Sequence, residues 1–157
     1  SKLILCGGYA RGRRKRGSAR EVAESDALIT LIEKGWGSDN PAFRQMLTSI
    51  FLPDATEKEV SYFNKLQKIS TNAANAARFR RVFDDFDVTG LLDQISVPTL
   101  VLHSRNDAAA PFQESRILAS RIHGARFVAL ESNNHFLLEN EPAWPTFVRE
   151  VKAFLAS

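Results

Sequence analysis

The apolar positions of the chain change their period twice. The opening stretch "KLILCGG" is, after Lys2, an unbroken apolar run ended by a glycine pair. Nothing in it alternates, so it predicts a strand buried on both faces, as in a parallel sheet, with Cys6 as a buried thiol rather than a nucleophile. From residue 22 the period becomes helical. Val22, Leu28, Ile29, Ile32 and Trp36 share one face, and Gly35 and Gly37 bring that helix to a stop. "NPAFRQMLTSIF" and "TEKEVSYFNKLQKI" predict two more helices, the second opened by a capping box of Thr56 and Glu59. "TNAANAARFRRVFDDF" predicts a fourth, with Ala76, Phe79, Phe83 and Phe86 as its core stripe.

The pattern then shortens again. "VPTLVLHS" (97–104) is a branched, leucine-rich run whose proline stands near its start, and it predicts a second strand. "PFQESRILASRI" (111–122) predicts a helix with Pro111 near its first turn. "ARFVAL" (125–130) predicts a third strand, and "EPAWPTFVREVKAFLA" an amphipathic closing helix carrying Trp144, Phe147, Val148, Val151, Phe154 and Leu155. Strands separated by helices imply parallel pairing through right-handed crossovers. The expected fold class is therefore α/β, with three parallel strands and flanking helices. One domain covers 1–157, and the helical block 19–95, too long for one crossover, is an insertion within it.

Composition narrows the function classes. The apolar and charged fractions, 44% and 25%, are those of an ordinary globular domain. No window holds the ~18–20 apolar residues of a membrane span, and no signal-peptide pattern opens the sequence. A single cysteine rules out an internal disulfide, so a cytoplasmic location and no membrane partner are expected. With three scattered histidines (His103, His123, His135) and one cysteine, no metal site is expected.

The net charge of +3 is local in origin. Arg11, Arg13, Arg14, Lys15, Arg16 and Arg20 lie in "ARGRRKRGSAR", and without these six the chain would be acidic. Such a run can contact phosphates. A solvated loop, or an ionic contact with another domain, is the preferred reading, because no recognition-helix or stacking pattern accompanies it. Nucleic acid is therefore not an expected partner.

Candidate chemistry lies where the strands end. In open α/β sheets, function gathers at the carboxyl ends of the strands. Asp107 follows the second strand by three residues, and His135, in "ESNNHFLL", follows the third by five. One strand–helix–strand unit separates them, so neighbouring parallel strands bring their loops together. An acid that orients a histidine acting as general base is the supporting half of a nucleophile–His–acid triad. A lone histidine is more often a packed or surface residue. His103 is expected to pack or bond locally at a strand end, and His123 to sit as a cation at a helix end.

"VPTLVLHSRNDAAAPF" followed by "GARFVALESNNHFLLENEPAW" resembles the end of an α/β-hydrolase domain, where the order is Ser, then acid, then His. The resemblance implies Asp107 as the acid and His135 as the base. It makes "SKLILCGGYA" the strand after the nucleophile helix and the helical block the cap. It covers essentially all 157 residues and implies a partial α/β-hydrolase fold. Where the family usually has glycine near the histidine, this chain has "SNNH"; Asn133 or Asn134 can take a left-handed conformation at modest cost, so the loop remains feasible. No Gly-x-Ser-x-Gly elbow occurs among these residues, and Ser104 is the serine nearest the expected site.

The resemblance thus implies the C-terminal portion of a serine hydrolase that cleaves an ester, amide or related bond of a small molecule and needs no cofactor. Trp36, Phe43, Met46, Phe51, Tyr62 and Phe63 are expected to wall its pocket. Alone, this portion is expected to be inactive, and to form a homo-oligomer by edge pairing or exchange through residues 2–8. The alternative is a non-catalytic, ligand-sensing hydrolase-fold module. "GGYARGRRKRG" and "KGWGSDNPAFRQMLTSIFLPDAT" resemble such modules joined to bacterial transcriptional regulators or nucleotide cyclases.

Overall fold

The computed structural model describes residues 1–157. Its elements run β1 (Leu3–Cys6), α1 (Arg13–Arg16), α2 (Ala19–Gly35), α3 (Ala42–Phe51), α4 (Glu57–Ser70), α5 (Ala73–Asp85), a 3-10 helix (Thr89–Gln94), β2 (Thr99–Ser104), α6 (Phe112–Arg121), β3 (Arg126–Leu130) and α7 (Trp144–Ala156). They form two compact units. The sheet unit comprises Ser1–Ala10, Ile50–Asp54 and Val88–Ser157; the helical unit comprises Arg11–Ser49 and Ala55–Asp87.

In the sheet unit three parallel strands stand in the order β1-β2-β3. Leu5, Val101 and Phe127 are in register across the sheet. That row packs with Leu118 of α6, Ile122 just past its end and Leu92 of the 3-10 helix. Successive side chains of a strand point to opposite faces. Leu100, Leu102 and Leu130 therefore meet the other layer, Ala143 and Phe154 at the two ends of the closing segment, with Ile4, Phe147 and Val151 against them. β2 is buried along its whole length because it has a strand on each side and a helix layer on each face. Lys2 extends its ammonium to the Phe154 carbonyl (2.7 Å) and the Leu155 carbonyl (3.1 Å), capping the C-terminus of α7.

β1 departs from expectation. It pairs on one side only, so its first three residues are half-buried and Cys6 is exposed rather than buried. The expectation for Cys6 failed because a continuous apolar run reports two covered faces only for a strand with neighbours on both sides. Surrounding residues still desolvate the Cys6 thiol enough to push it up, and the charge of Asp107 adds to the rise.

In the helical unit Ile29, Ile32, Leu47, Ala76 and Ala77 form the core, with Leu28, Trp36, Phe43 and Met46 packed against it. The Thr56–Glu59 capping box is formed, and a second one, Ser18–Glu21, opens α2. Two expectations fail here. Phe79 and Phe83 are exposed and stack on each other at 6.1 Å, while α5 turns Ala76, Ala77 and Asp84 inward. A polar interaction decides that rotation. Asp84 accepts from Ser25 and pairs with Arg80 at 3.1 Å. Gly12 also lies so close to Asp84 that a Cβ there would meet its carbonyl at 2.4 Å. The basic run, expected as a loop, forms the one-turn α1 and continues into α2, with Arg14 bonded to Asp26 and Arg20 to Glu24. No helix of the protein is long and apolar enough to cross a membrane.

Removing Asp84 leaves a partly buried guanidinium and a buried hydroxyl without their acceptor. Asp84→Ala is expected to cost about 3 kcal/mol in urea unfolding. A loss below about 1 kcal/mol would mean that apolar packing alone sets the rotation of α5.

Candidate active site

The two loops that leave β2 and β3 are stitched together before any side chain is considered. Arg105 N–H donates to Leu130 O (2.9 Å) and Asn106 N–H to Ser132 O (3.2 Å). Asp107 follows, folded over the start of α6. Its Oδ1 accepts from the N–H groups of Ala109 (2.8 Å) and Ala110 (3.0 Å), an aspartate bonding its own turn. Its Oδ2 accepts from His135 Nδ1 at 2.6 Å. The Asp107 side chain is fully buried and that of His135 is 15% exposed. The structure thus brings the two expected site residues together at the carboxyl ends of adjacent strands.

A third residue joins them, one expected only to pack or bond locally at a strand end. His103, at the end of β2, is fully buried and places Nε2 3.2 Å from Asp107 Oδ2 and 3.0 Å from Ala110 O. Both neighbours are acceptors, so Nε2 is a donor. The other ring nitrogen meets Ser115 of α6, whose hydroxyl donates to Gly8 O (2.8 Å). The Asp107 carboxylate is therefore held by β2, by its own turn and by His135 at once. Burial alone would push this carboxyl up. The hydrogen bonds from His103, His135 and the Ala110 N–H, with the charge of His135, outweigh burial and hold Asp107 well below the usual carboxylate range.

The loop that carries His135 is braced by amides rather than by unusual backbone. No residue other than glycine has positive φ, so neither Asn133 nor Asn134 uses the left-handed conformation open to it. Asn134 is instead fully buried. Its Nδ2 donates to Glu141 Oε1 (2.8 Å) and its Oδ1 accepts from Asp54 N–H (3.0 Å). Glu141 also accepts from Ser132 and from Leu138 N–H (2.7 Å). Asn133 donates to Asp54 (2.7 Å) and accepts from Asn106 (2.9 Å). Asparagine serves here because it offers a donor and an acceptor on one short side chain.

His135 itself is fixed on three sides. Its N–H donates to Phe51 O (2.8 Å), and its ring lies edge-on to Phe51 (5.5 Å) and Phe136 (4.7 Å). Gly7, at φ 62, passes beneath the ring. The Nε2 atom of His135 makes no hydrogen bond within the chain. Ser104 is buried at the end of β2. Of the residues expected to wall a pocket, Phe51 stands beside His135, Trp36, Phe43 and Met46 pack against the core of the helical unit, and Tyr62 is 70% exposed. A polar cavity of about 440 Å³ lies behind the histidine loop, lined by residues including Asp54, Asn106 and Glu141 but by neither Asp107 nor His135.

No family model matches the chain. It is 35% identical, over 83 residues, to a Pseudomonas syringae protein with the provisional name carbamate hydrolase RutD, a match covering 53% of this chain and 31% of that one. A protein of the same provisional name from Pseudomonas savastanoi is 30% identical, over 73% of this chain and 52% of its own length. Among solved structures, an esterase from Exiguobacterium antarcticum matches all of this chain and 57% of its own, with a TM-score of 0.81 and 22% identity. The chain thus spans about half the length of these proteins. The structural likeness shows the fold: a partial α/β-hydrolase fold of three parallel strands with flanking helices.

Two predictions follow from this geometry. A Cβ at Gly7 would stand 2.8 Å from His135 Cε1, at a φ that disfavours any side chain. Gly7→Ala is expected to displace the ring and abolish the strongly deshielded Nδ1–H proton resonance of the Asp107–His135 bond, while the fold persists. An unchanged resonance would show that the ring does not depend on Gly7.

The depressed Asp107 carboxyl also fixes a sign. Its contribution to stability is complete above the unfolded value, about 4, and is lost as pH falls through the lower folded value. The wild type should therefore lose stability more steeply below about pH 4 than Asp107→Asn, which should be the less stable of the two at pH 7. Parallel acid limbs in urea unfolding would contradict a charged, buried Asp107.

Proposed function

We propose that this chain is the histidine-and-acid portion of a serine-type α/β hydrolase acting on an ester, amide or related bond of a small molecule. The observation that carries the reading is the 2.6 Å bond from His135 Nδ1 to a fully buried carboxylate, with Nε2 left unbonded. Asp107 fixes the tautomer, so the lone pair of His135 lies on Nε2, where a nucleophile's proton would be received. As the imidazolium forms, the buried carboxylate stabilises its charge. His135 then returns the proton to the leaving group.

The nucleophile would come from outside these residues. Ser104, the serine expected nearest the pair, is buried at the end of a strand, not exposed on a strand-to-helix turn. The provisional name of the Pseudomonas relatives, carbamate hydrolase, falls within the proposed bond class and supports carbamates as substrates to try first. The chemistry is acyl transfer by side chains alone and calls for no cofactor.

The test has two arms. The 157-residue chain alone should not turn over p-nitrophenyl acetate. Supplied with an N-terminal hydrolase half that carries a Gly-x-Ser-x-Gly elbow, it should, and His135→Ala should reduce the rate to the residual about 10³–10⁴ over water expected of a broken triad. Turnover by the chain alone that is lost in His135→Ala would sink the reading and place the nucleophile within these residues.

A further inference from the structure

Arg44 is the anomaly of the helical unit. It lies on α3, only 6% exposed, and no carboxylate hydrogen-bonds to it; exposed Asp39, which is bonded to Lys68, feels its charge from nearby. Its guanidinium makes one hydrogen bond, to the backbone carbonyl of Ser38. Buried cations are normally paired, because burial strips them of water and only an anion nearby offsets that cost. Four other arginines of this unit have carboxylate partners: Arg80 has Asp84, Arg81 has Glu33, Arg14 has Asp26 and Arg20 has Glu24. An arginine has five N–H donors, so most of those of Arg44 remain uncommitted.

They border a cavity of about 550 Å³. Lys65 and Lys68 line it with Arg44, and Glu57 is the one acid among the lining residues. Lys68 leans outward to Asp39 at 2.8 Å. Gln45, Ser61 and Asn64 add neutral hydrogen-bonding groups, while Pro41, Ala55 and Val60 supply an apolar wall. Three cations line the cavity against one anion; Asp39, not among the lining residues, is already bonded to Lys68, and the Arg44 guanidinium has no hydrogen-bonded carboxylate, so the missing component of the site is negative. The volume and the apolar wall exceed what an inorganic ion would fill and lie within the range of small-molecule pockets.

We propose that this cavity binds a small organic carboxylate, its carboxylate on the Arg44 fork beside Lys65 and its apolar part against Pro41, Ala55 and Val60. The guanidinium fork matches a carboxylate in two parallel hydrogen bonds, which gives orientation as well as charge. Neither Asp107 nor His135 lines the cavity, so the site is separate from the proposed hydrolytic pair and does not depend on it.

The experiment titrates the 157-residue chain with benzoate, inorganic phosphate and benzyl alcohol at constant ionic strength, read by amide NMR shifts and by Tm. Benzoate should give saturable shifts centred on residues 44, 45, 61, 64 and 65, with a dissociation constant of about 1 mM or tighter, and should raise Tm. Lys65→Gln, on an exposed side chain, should weaken binding several-fold without changing the Tm of the free protein. Arg44→Gln should abolish binding; if that variant does not fold, Lys65→Gln decides. Non-saturable shifts, benzyl alcohol binding as well as benzoate, phosphate competing equally, or benzoate binding unaffected by Lys65→Gln would each overturn the proposal.

Discussion

A charged carboxylate in a dry place organises the strand ends. Asp107 is fully buried, and a buried charge persists only when its lone pairs are taken by donors. Four groups provide them: two N–H groups of its own turn, His103 from β2, and His135 from the loop after β3. These donors come from three different stretches of chain, so satisfying one carboxylate sets the relative positions of β2, the turn before α6 and the histidine loop. Ser115 extends the same constraint to β1 through Gly8.

The histidine loop needs separate support, because an imidazole tethered by one nitrogen can still rock. Asn134 and Glu141 supply that support from below, and Phe51 and Phe136 from the sides. The loop reaches its shape with ordinary backbone angles, so no strain is stored there. Its rigidity comes from side-chain amides that each satisfy two partners. Buried polar networks of this kind specify one arrangement because every alternative leaves a group unsatisfied.

The two units handle charge in opposite ways. In the sheet unit the buried carboxylate is oversupplied with donors. In the helical unit Asp84 and Arg80 neutralise each other, whereas the one hydrogen bond of Arg44 goes to a backbone carbonyl. The difference separates groups whose chemistry is complete within the chain from one whose chemistry is not.

Much of the fold was legible because it follows from short-range physics. Apolar runs of four to six residues bounded by Gly and Pro mark β1 and β2, and the Thr56–Glu59 box marks the start of α4, without reference to anything distant. The spacing of Asp107 and His135 past their strands was likewise enough to place them near each other. What the sequence alone left open depends on groups far apart in the chain. The exposure of Cys6 follows from β1 pairing on one side only, and the rotation of α5 from Ser25 reaching Asp84. The role of His103 required a carboxylate four residues on to turn back beneath it, and that of Glu141 required a loop to close over it. A periodic pattern records which residues prefer burial. It does not record which buried polar groups will find each other, because that pairing is settled only when the tertiary structure brings their elements within hydrogen-bond distance.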